Sequence, residues 1–289
     1  MASRQACVRT EELLRHLLSL EGERHPFTSP ERLATTQDYV RACWKSWGLR
    51  VAADEFSYMG QVFVNLLAQP LDCPAGPPLL IGAHLDTVPG TPGADDNASG
   101  VAALLELSRV MAAQPVALPL EFVVFNLEEL GMIGSAHYAA GLARATHPIV
   151  GMLSLEMIGF TESQGLQHYP WFLKGRYPPM GNYVGLAANR ASRRLLDAVA
   201  DAMRTVDGLP VETMVLPGKG WVFPESRLSD HSPFWDRGYP ALLVTDTAFF
   251  RNPHYHQATD TVATLDLAFL TKVTQGLVAT IEALASPLE

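Results

Sequence analysis

PPLLIGAHLDTVPGTPGADDNASGVAALLELSRVMAA, residues 77–113, carries three signals in succession. LLIGA (79–83) is a short unbroken apolar run, as expected of a strand covered on both faces. GVAALLELSRVMAA (100–113) places Val101, Leu104, Leu105 and Leu107 along one broad stripe, which is helical spacing. Between them lies a Gly/Pro-rich loop with His84, Asp86, Asp95, Asp96 and Asn97. Strand, polar loop and helix in that order form the half-unit of an α/β sheet, and the carboxyl end of such a strand is where ligands bind.

The same pattern continues in both directions. Apolar periodicity at about 8–20 and 30–48, with Gly48 as a stop, predicts two helices ahead of the first strand. QVFVNLLAQ (61–69), EFVVFN (121–126), IVGMLSLEMIGF (149–160), NYVGLAAN (182–189), VETMVLP (211–217) and PALLVTD (240–246) predict further strands. ASRRLLDAVADAMRTV (191–206) and LDLAFLTKVTQGLVATIEAL (265–284) predict helices between and after them. Alternation from residue 61 onward predicts a three-layer α/β/α sandwich around a central mixed, mostly parallel sheet. No composition shift marks a boundary, so residues 1–289 are expected to form a single catalytic domain with the two N-terminal helices packed on it. The aromatic, Gly- and Pro-rich stretch 161–181 is the longest irregular segment expected.

Composition narrows the function. With 48% hydrophobic and 18% charged residues the chain has the material for a large core and too little charge for disorder. A net charge of −9 repels phosphate backbones, which argues against a nucleic-acid partner. No run of 18 apolar residues and no signal-like N-terminus occur, so the expectation is a cytoplasmic protein with no membrane partner. Cys7, Cys43 and Cys73 are too few and too scattered for a disulfide framework or a zinc clip.

Acids and histidines gather at expected strand ends. His84 and Asp86 share a face in extended chain, so the aspartate can orient the imidazole from behind; a surface turn would look the same. Asp95 and Asp96 precede a helix, where acids also serve as caps, but PGTPG bends the loop so that a carboxylate could return toward His84. Glu128 and Glu129 follow an apolar strand, a poor place for two solvated charges. Glu156 interrupts GMLSLEMIGF, and a carboxylate buried there needs a cation unless the strand lies at an edge in water. His254 and His256 flank Tyr255, and one of the two suffices for a site. Ser229, Asp230 and His231 are contiguous, which does not suit a serine relay, and GxSxG, GxGxxG, a P-loop and HExxH are absent.

HLDTVPGTPGADDNASG, NLEELGMIGSAHY, LEMIGF, SDHSPFW and HYHQATDT, in order between about residues 60 and 270, together resemble the co-catalytic di-zinc aminopeptidases, the clan MH exopeptidases that include bacterial leucyl-type aminopeptidases. The resemblance implies two zinc ions bridged by Asp96, the second acid of the adjacent pair. It assigns Glu129 and His256 to one ion, His84 and Glu156 to the other, and Tyr255 to the developing oxyanion. The family more often has Asp where this chain has Glu156. Nitrogen and oxygen ligands without thiolate suit zinc, with cobalt or manganese as substitutes. Glu128, beside a ligand but free, is then the general base, and the substrate is a peptide or amino-acid amide cut at its N-terminal bond. Three alternatives remain open: a single-zinc glutaminyl cyclase-like acyl transferase, an amidase for a small substrate, and a metal-free binding protein of the same fold. A second metal site completed by His84 and Glu156 weighs against the acyl transferase.

Overall fold

The computed structural model describes residues 3–164 and 167–286. Two helices, α1 (Thr10–Leu20) and α2 (Pro30–Ser46), come first as expected, and Gly48 ends the second segment with φ +74°. The first strand, however, is not at residue 61. Strand β1 (Arg50–Tyr58) precedes β2 (Gln61–Gln69), and the two form an antiparallel hairpin closed by Met59 and Gly60. Then follow β3 (Leu79–His84), α3 (Gly100–Ala113), β4 (Leu120–Phe125), α4 (Ile133–Arg144) and β5 (Gly151–Glu156). The remainder is β6 (Val184–Asn189), α5 (Arg193–Met203), β7 (Val211–Leu216), α6 (Ser232–Asp236), β8 (Ala241–Thr245) and α7 (Leu267–Ala285). Helices α4 and α6 are additions to the sequence reading.

All eight strands lie in one sheet of order β1-β2-β4-β3-β5-β8-β6-β7. Strands β4, β3, β5 and β8 run parallel through its centre, while β2 joins β4 and β6 joins β8 antiparallel. The sheet is mixed and flanked by helices on both faces, the α/β/α sandwich expected. Both faces are dry because alternate side chains serve different cores. On β3, Leu79, Ile81 and Ala83 join the core under α1, α2, α3, α5 and α7, while Leu80 joins a second core under α4 and α6. On β4 and β5 the same alternation puts Phe122 and Leu153 on the first face and Phe125 and Met152 on the second. Helix α7 is long and apolar enough in composition to cross a bilayer, yet Phe269, Leu270, Val273 and Leu277 are spent on the first core.

This arrangement fixes the site. Four parallel central strands end at the same edge, so His84, the segment after Phe125, Glu156 and the loop after Thr245 converge there. Glu156 sits on a central strand and is buried, which excludes the reading of a solvated edge carboxylate. The stretch 161–181 is irregular apart from one antiparallel bridge between Glu162 and Gly181; Gly165 and Leu166 within it lie outside the described residues.

Candidate metal centre

The register of β3 against β5 pairs Gly82 with Ser154, which carries His84 to the side of Glu156. The Nε2 atom of His84 lies 3.3 Å from Glu156 Oε1 and 3.2 Å from Asp96 Oδ1. The other oxygen of Asp96 lies 3.1 Å from His256 Nε2, which is itself 3.3 Å from Glu129 Oε2. Asp96 therefore stands between two imidazole–carboxylate pairs, and all five side chains named from the sequence come together. Glu128 lies beside them, with Oε2 3.9 Å from His84 Nε2.

Each of these segments is held by a side chain from another. The carboxylate of Asp86 accepts from the backbone N–H of Glu128 at 3.0 Å and of Glu129 at 3.1 Å. Behind His84, the imidazole Nδ1 meets the Asp86 backbone carbonyl at 3.0 Å, with one carboxylate oxygen of Asp86 at 3.8 Å. Asn97 donates to the Leu155 carbonyl at 2.8 Å and accepts from Met157 N–H at 3.2 Å, so it clamps the peptides on both sides of Glu156. Asn97 also accepts from Gly100 N–H at 3.2 Å. Capping of α3 is thus the work of the asparagine, and Asp95 and Asp96 are free of that duty. Asp95 instead accepts from Gly159 N–H at 2.9 Å and Asn252 Nδ2 at 2.7 Å, outside the cluster.

Three positioning groups and one buried acid have no task assigned from the sequence. Asp260 accepts from the N–H groups of Asp95 at 2.8 Å and Asp96 at 3.1 Å. Ser229 donates from Oγ to Glu156 Oε2 at 2.8 Å. Asp230 is buried beside the cluster with both carboxylate oxygens lacking hydrogen bonds among the described residues. Arg24, fully buried, donates five hydrogen bonds to the carbonyls of Leu20, Gly22, Leu85, Pro92 and Gly93, pinning both ends of the 84–96 loop. Burial pulls its guanidinium down to about 10, still charged at neutral pH. Gly93 takes φ +61°, and a Cβ there would stand 2.8 Å from the Arg24 guanidinium and 2.4 Å from Thr87, so no larger residue fits. Ser229, Asp230 and Asp260 fall in the motifs SDHSPFW and HYHQATDT, which do not tell their tasks, and Arg24 falls in none.

Electrostatically the cluster is short of positive charge. Burial, reinforced by the Glu156, Asp230 and Glu129 carboxylates, pushes Glu128 well above the ordinary carboxylate value. Burial and the Asp96 charge lift Glu129 to about 7, and burial raises Glu156. Burial would lower both histidines, but the facing carboxylates reverse this, leaving His84 well above 6.5 and His256 at about 10. Asp96 alone is held below its usual value: burial opposes this, but hydrogen bonds from His256 and His84 prevail. Four carboxylates face two imidazoles, and the buried Glu129 Oε1 has no hydrogen-bond partner among the described residues. Such a set fits cations on either side of Asp96, and its all-nitrogen-and-oxygen donors suit zinc.

Tyr255 stacks on His256 with ring centroids 3.7 Å apart. Burial and then the nearby carboxylates raise its hydroxyl above the ordinary value, so it stays protonated and able to donate. His254 turns away to Thr259. His231 contacts the Ser226 carbonyl at 2.8 Å and is pushed down to about 3 by burial, so Ser229, Asp230 and His231 form no relay. Of the aromatic loop, Tyr169 and Tyr177 wall a cavity of about 280 Å³ that opens beside the cluster, whereas Trp171 is 85% exposed.

Comparison with known proteins agrees with this geometry. Residues 71–281 match the model of Peptidase family M28. The uncharacterized protein YfbL of Escherichia coli is 33% identical over 287 residues, covering 93% of this chain and 86% of that protein. A probable lipoprotein aminopeptidase of Mycobacterium tuberculosis, LpqL, is 28% identical; the match covers 70% of this chain but 41% of that relative. Among solved structures, the LapA aminopeptidase of Legionella pneumophila superposes with a TM-score of 0.78 at 21% identity, covering 99% of this chain and 74% of LapA. A glutaminyl cyclase of Macrostomum lignano gives 0.75 at 18% identity, covering 99% of this chain and 94% of that one. The fold is common to both activities, and the enzyme class that the family and its named members support is the metallo-aminopeptidase. The cluster from His84 to His256 lies wholly inside the matched span, and the chain belongs to peptidase family M28.

Proposed function

We propose that the chain is a zinc aminopeptidase with two metal positions, cutting the N-terminal bond of peptides or amino-acid amides. The observation that carries this reading is Asp96, whose two oxygens lie 3.2 and 3.1 Å from two different imidazoles, each with its own further carboxylate. His84 and Glu156 would hold one ion, His256 and Glu129 the other, and Asp96 both. Two divalent cations so held polarise a scissile carbonyl and acidify water toward a pKa of about 7.

The remaining chemistry belongs to the side chains. Glu128 lines the cavity beside the cluster and coordinates nothing in this scheme. It takes the proton of the attacking water and returns it to the leaving amine. Asp86 fixes the peptides from which both the base and its neighbouring ligand project. Tyr255 donates to the oxygen on which charge develops.

The glutaminyl cyclase-like alternative needs one metal, and the second imidazole–carboxylate pair on Asp96 supports two. Zinc counting with hydrolysis of amino-acid anilides separates these readings. The expected result is about two zinc ions per chain and turnover that chelation abolishes. One zinc with cyclisation of an N-terminal Gln peptide would favour the alternative, and tight peptide binding without metal or turnover would favour a binding protein.

A further inference from the structure

The cavity beside the cluster has a floor that follows from strand register. Glu156 pairs with Thr245, Thr245 with Gly185, and Gly185 with Glu212. These four residues form one row across β5, β8, β6 and β7, and all four line the cavity. The next row on the same face, Leu243, Ala187 and Met214, lines it too. The floor therefore begins at the proposed metal centre and ends at Glu212 on the edge strand. At about 4.8 Å per strand, the Cα atoms of Glu156 and Glu212 lie about 14 Å apart.

Midway, Gly185 leaves the floor open: a Cβ there would come no nearer than 3.4 Å to any neighbour, so the glycine reflects space and not crowding. Tyr169, Tyr177, Phe223 and Phe250 form aromatic walls. Glu212 is half-buried, and among the described residues its carboxylate has no hydrogen-bond or ion-pair partner. No lysine or arginine lines the cavity, and the other acid away from the cluster, Glu225, is exposed.

We infer that this cavity receives the side chain of the substrate's N-terminal residue, and that Glu212 selects a long cationic one, arginine or lysine. The inference rests on the aminopeptidase reading. A residue held at the Glu156 end crosses the floor only with a long side chain. A cation at the far end pairs with Glu212 and lies among aromatic faces that attract it. A leucine stops short and leaves the carboxylate partly desolvated without a partner, and an acidic side chain is repelled.

Calorimetric titration of the zinc-loaded full chain with the hydroxamates of L-arginine, L-lysine and L-norleucine tests this directly, alongside kcat/KM for arginine, lysine and leucine p-nitroanilides. A cationic hydroxamate should bind at least about tenfold tighter than norleucine hydroxamate, the gain expected of a charge-assisted bond. Glu212→Gln should reduce that ratio to within about twofold, by weakening the cationic hydroxamates and removing the unpaired carboxylate that norleucine meets. Equal binding of the three by the wild-type chain, or an undiminished ratio in Glu212→Gln, would overturn the inference. The wild-type ratio alone decides if the variant is unstable, and Glu212→Ala gives a second comparison. A preserved cation preference without turnover of any anilide would leave the Glu212 pocket standing and remove the aminopeptidase reading.

Discussion

Glu128 and Glu129 are chain neighbours to which the proposed scheme gives opposite tasks, and the two oxygens of Asp86 hold one peptide each. With both peptides fixed, Glu129 reaches His256 at 3.3 Å and Glu128 lies 3.9 Å from His84, and both line the cavity. Glu128→Gln keeps the shape and removes the proton acceptor, so kcat should fall by about 10²- to 10⁴-fold with zinc content unchanged; equal activity in the two proteins would remove Glu128 from the mechanism. Ser229 bonds Glu156, so in the proposed scheme it would serve the metal and not the proton. Losing its bond to Glu156 in Ser229→Ala should weaken binding of the zinc ion held by His84 and Glu156 by about 10- to 100-fold, with near-normal kcat once zinc is saturating. Competition with a chromophoric chelator measures it, and an unchanged zinc affinity would contradict the role. The convergent residues were legible because acids and histidines are conspicuous at the ends of apolar strands. The tasks of Ser229 and Asp260 were not, although both fall in motifs that carry the resemblance, because their bonds reach across more than 70 residues of chain.

At the scale of elements, the loop from His84 to Gly100 is a frame held from three sides, by Arg24, Asp260 and Asn97. Arg24 stands out because one fully buried guanidinium donates to five carbonyls, those of Leu20, Leu85 and Gly93 in buried bonds. Arg24→Met should therefore cost more than about 3 kcal/mol of stability, read as the shift in urea midpoint; a loss below about 1 kcal/mol would mean that the loop stands without it. Helix α3 and the central strands were readable because their apolar periodicity is unmixed. Strand β1 was hidden: Arg50, Asp54 and Glu55 blur its alternation. Its turn also uses Met59 at φ 48° before Gly60 at φ 78°, where Asn or Asp would have announced a two-residue hairpin. Helix α4 was hidden for a related reason, since IGSAHYAAGLAR is rich in small residues and two glycines that depress helix propensity; Tyr138 and Ala139 dock it on the sheet instead.

For the whole molecule, the sandwich is stabilised far from the site by groups that must stay neutral. His16 on α1 is buried beside Tyr39, and burial and then the Arg15 charge push it down from 6.5 to about 3. The unfolded chain takes up this proton first. The contribution of His16 is thus complete above about pH 6.5 and lost at roughly 1 kcal/mol per pH unit as the pH falls toward 3. The stability advantage of wild type over His16→Gln, from urea unfolding, should shrink between pH 7 and pH 5; a constant gap would contradict the assignment. Strand order could not be read from the sequence, because pairing depends on contacts between segments far apart, yet it is strand order that brings Glu156 and Glu212 into one row, with β3 and His84 next to β5. The central claim is that Asp96 lies between two cations. Anomalous diffraction at the zinc edge from crystals grown with zinc should give two peaks per chain about 3.5 to 4 Å apart, one toward His84 and Glu156 and one toward His256 and Glu129. A single peak, or two peaks that do not share Asp96, would contradict it.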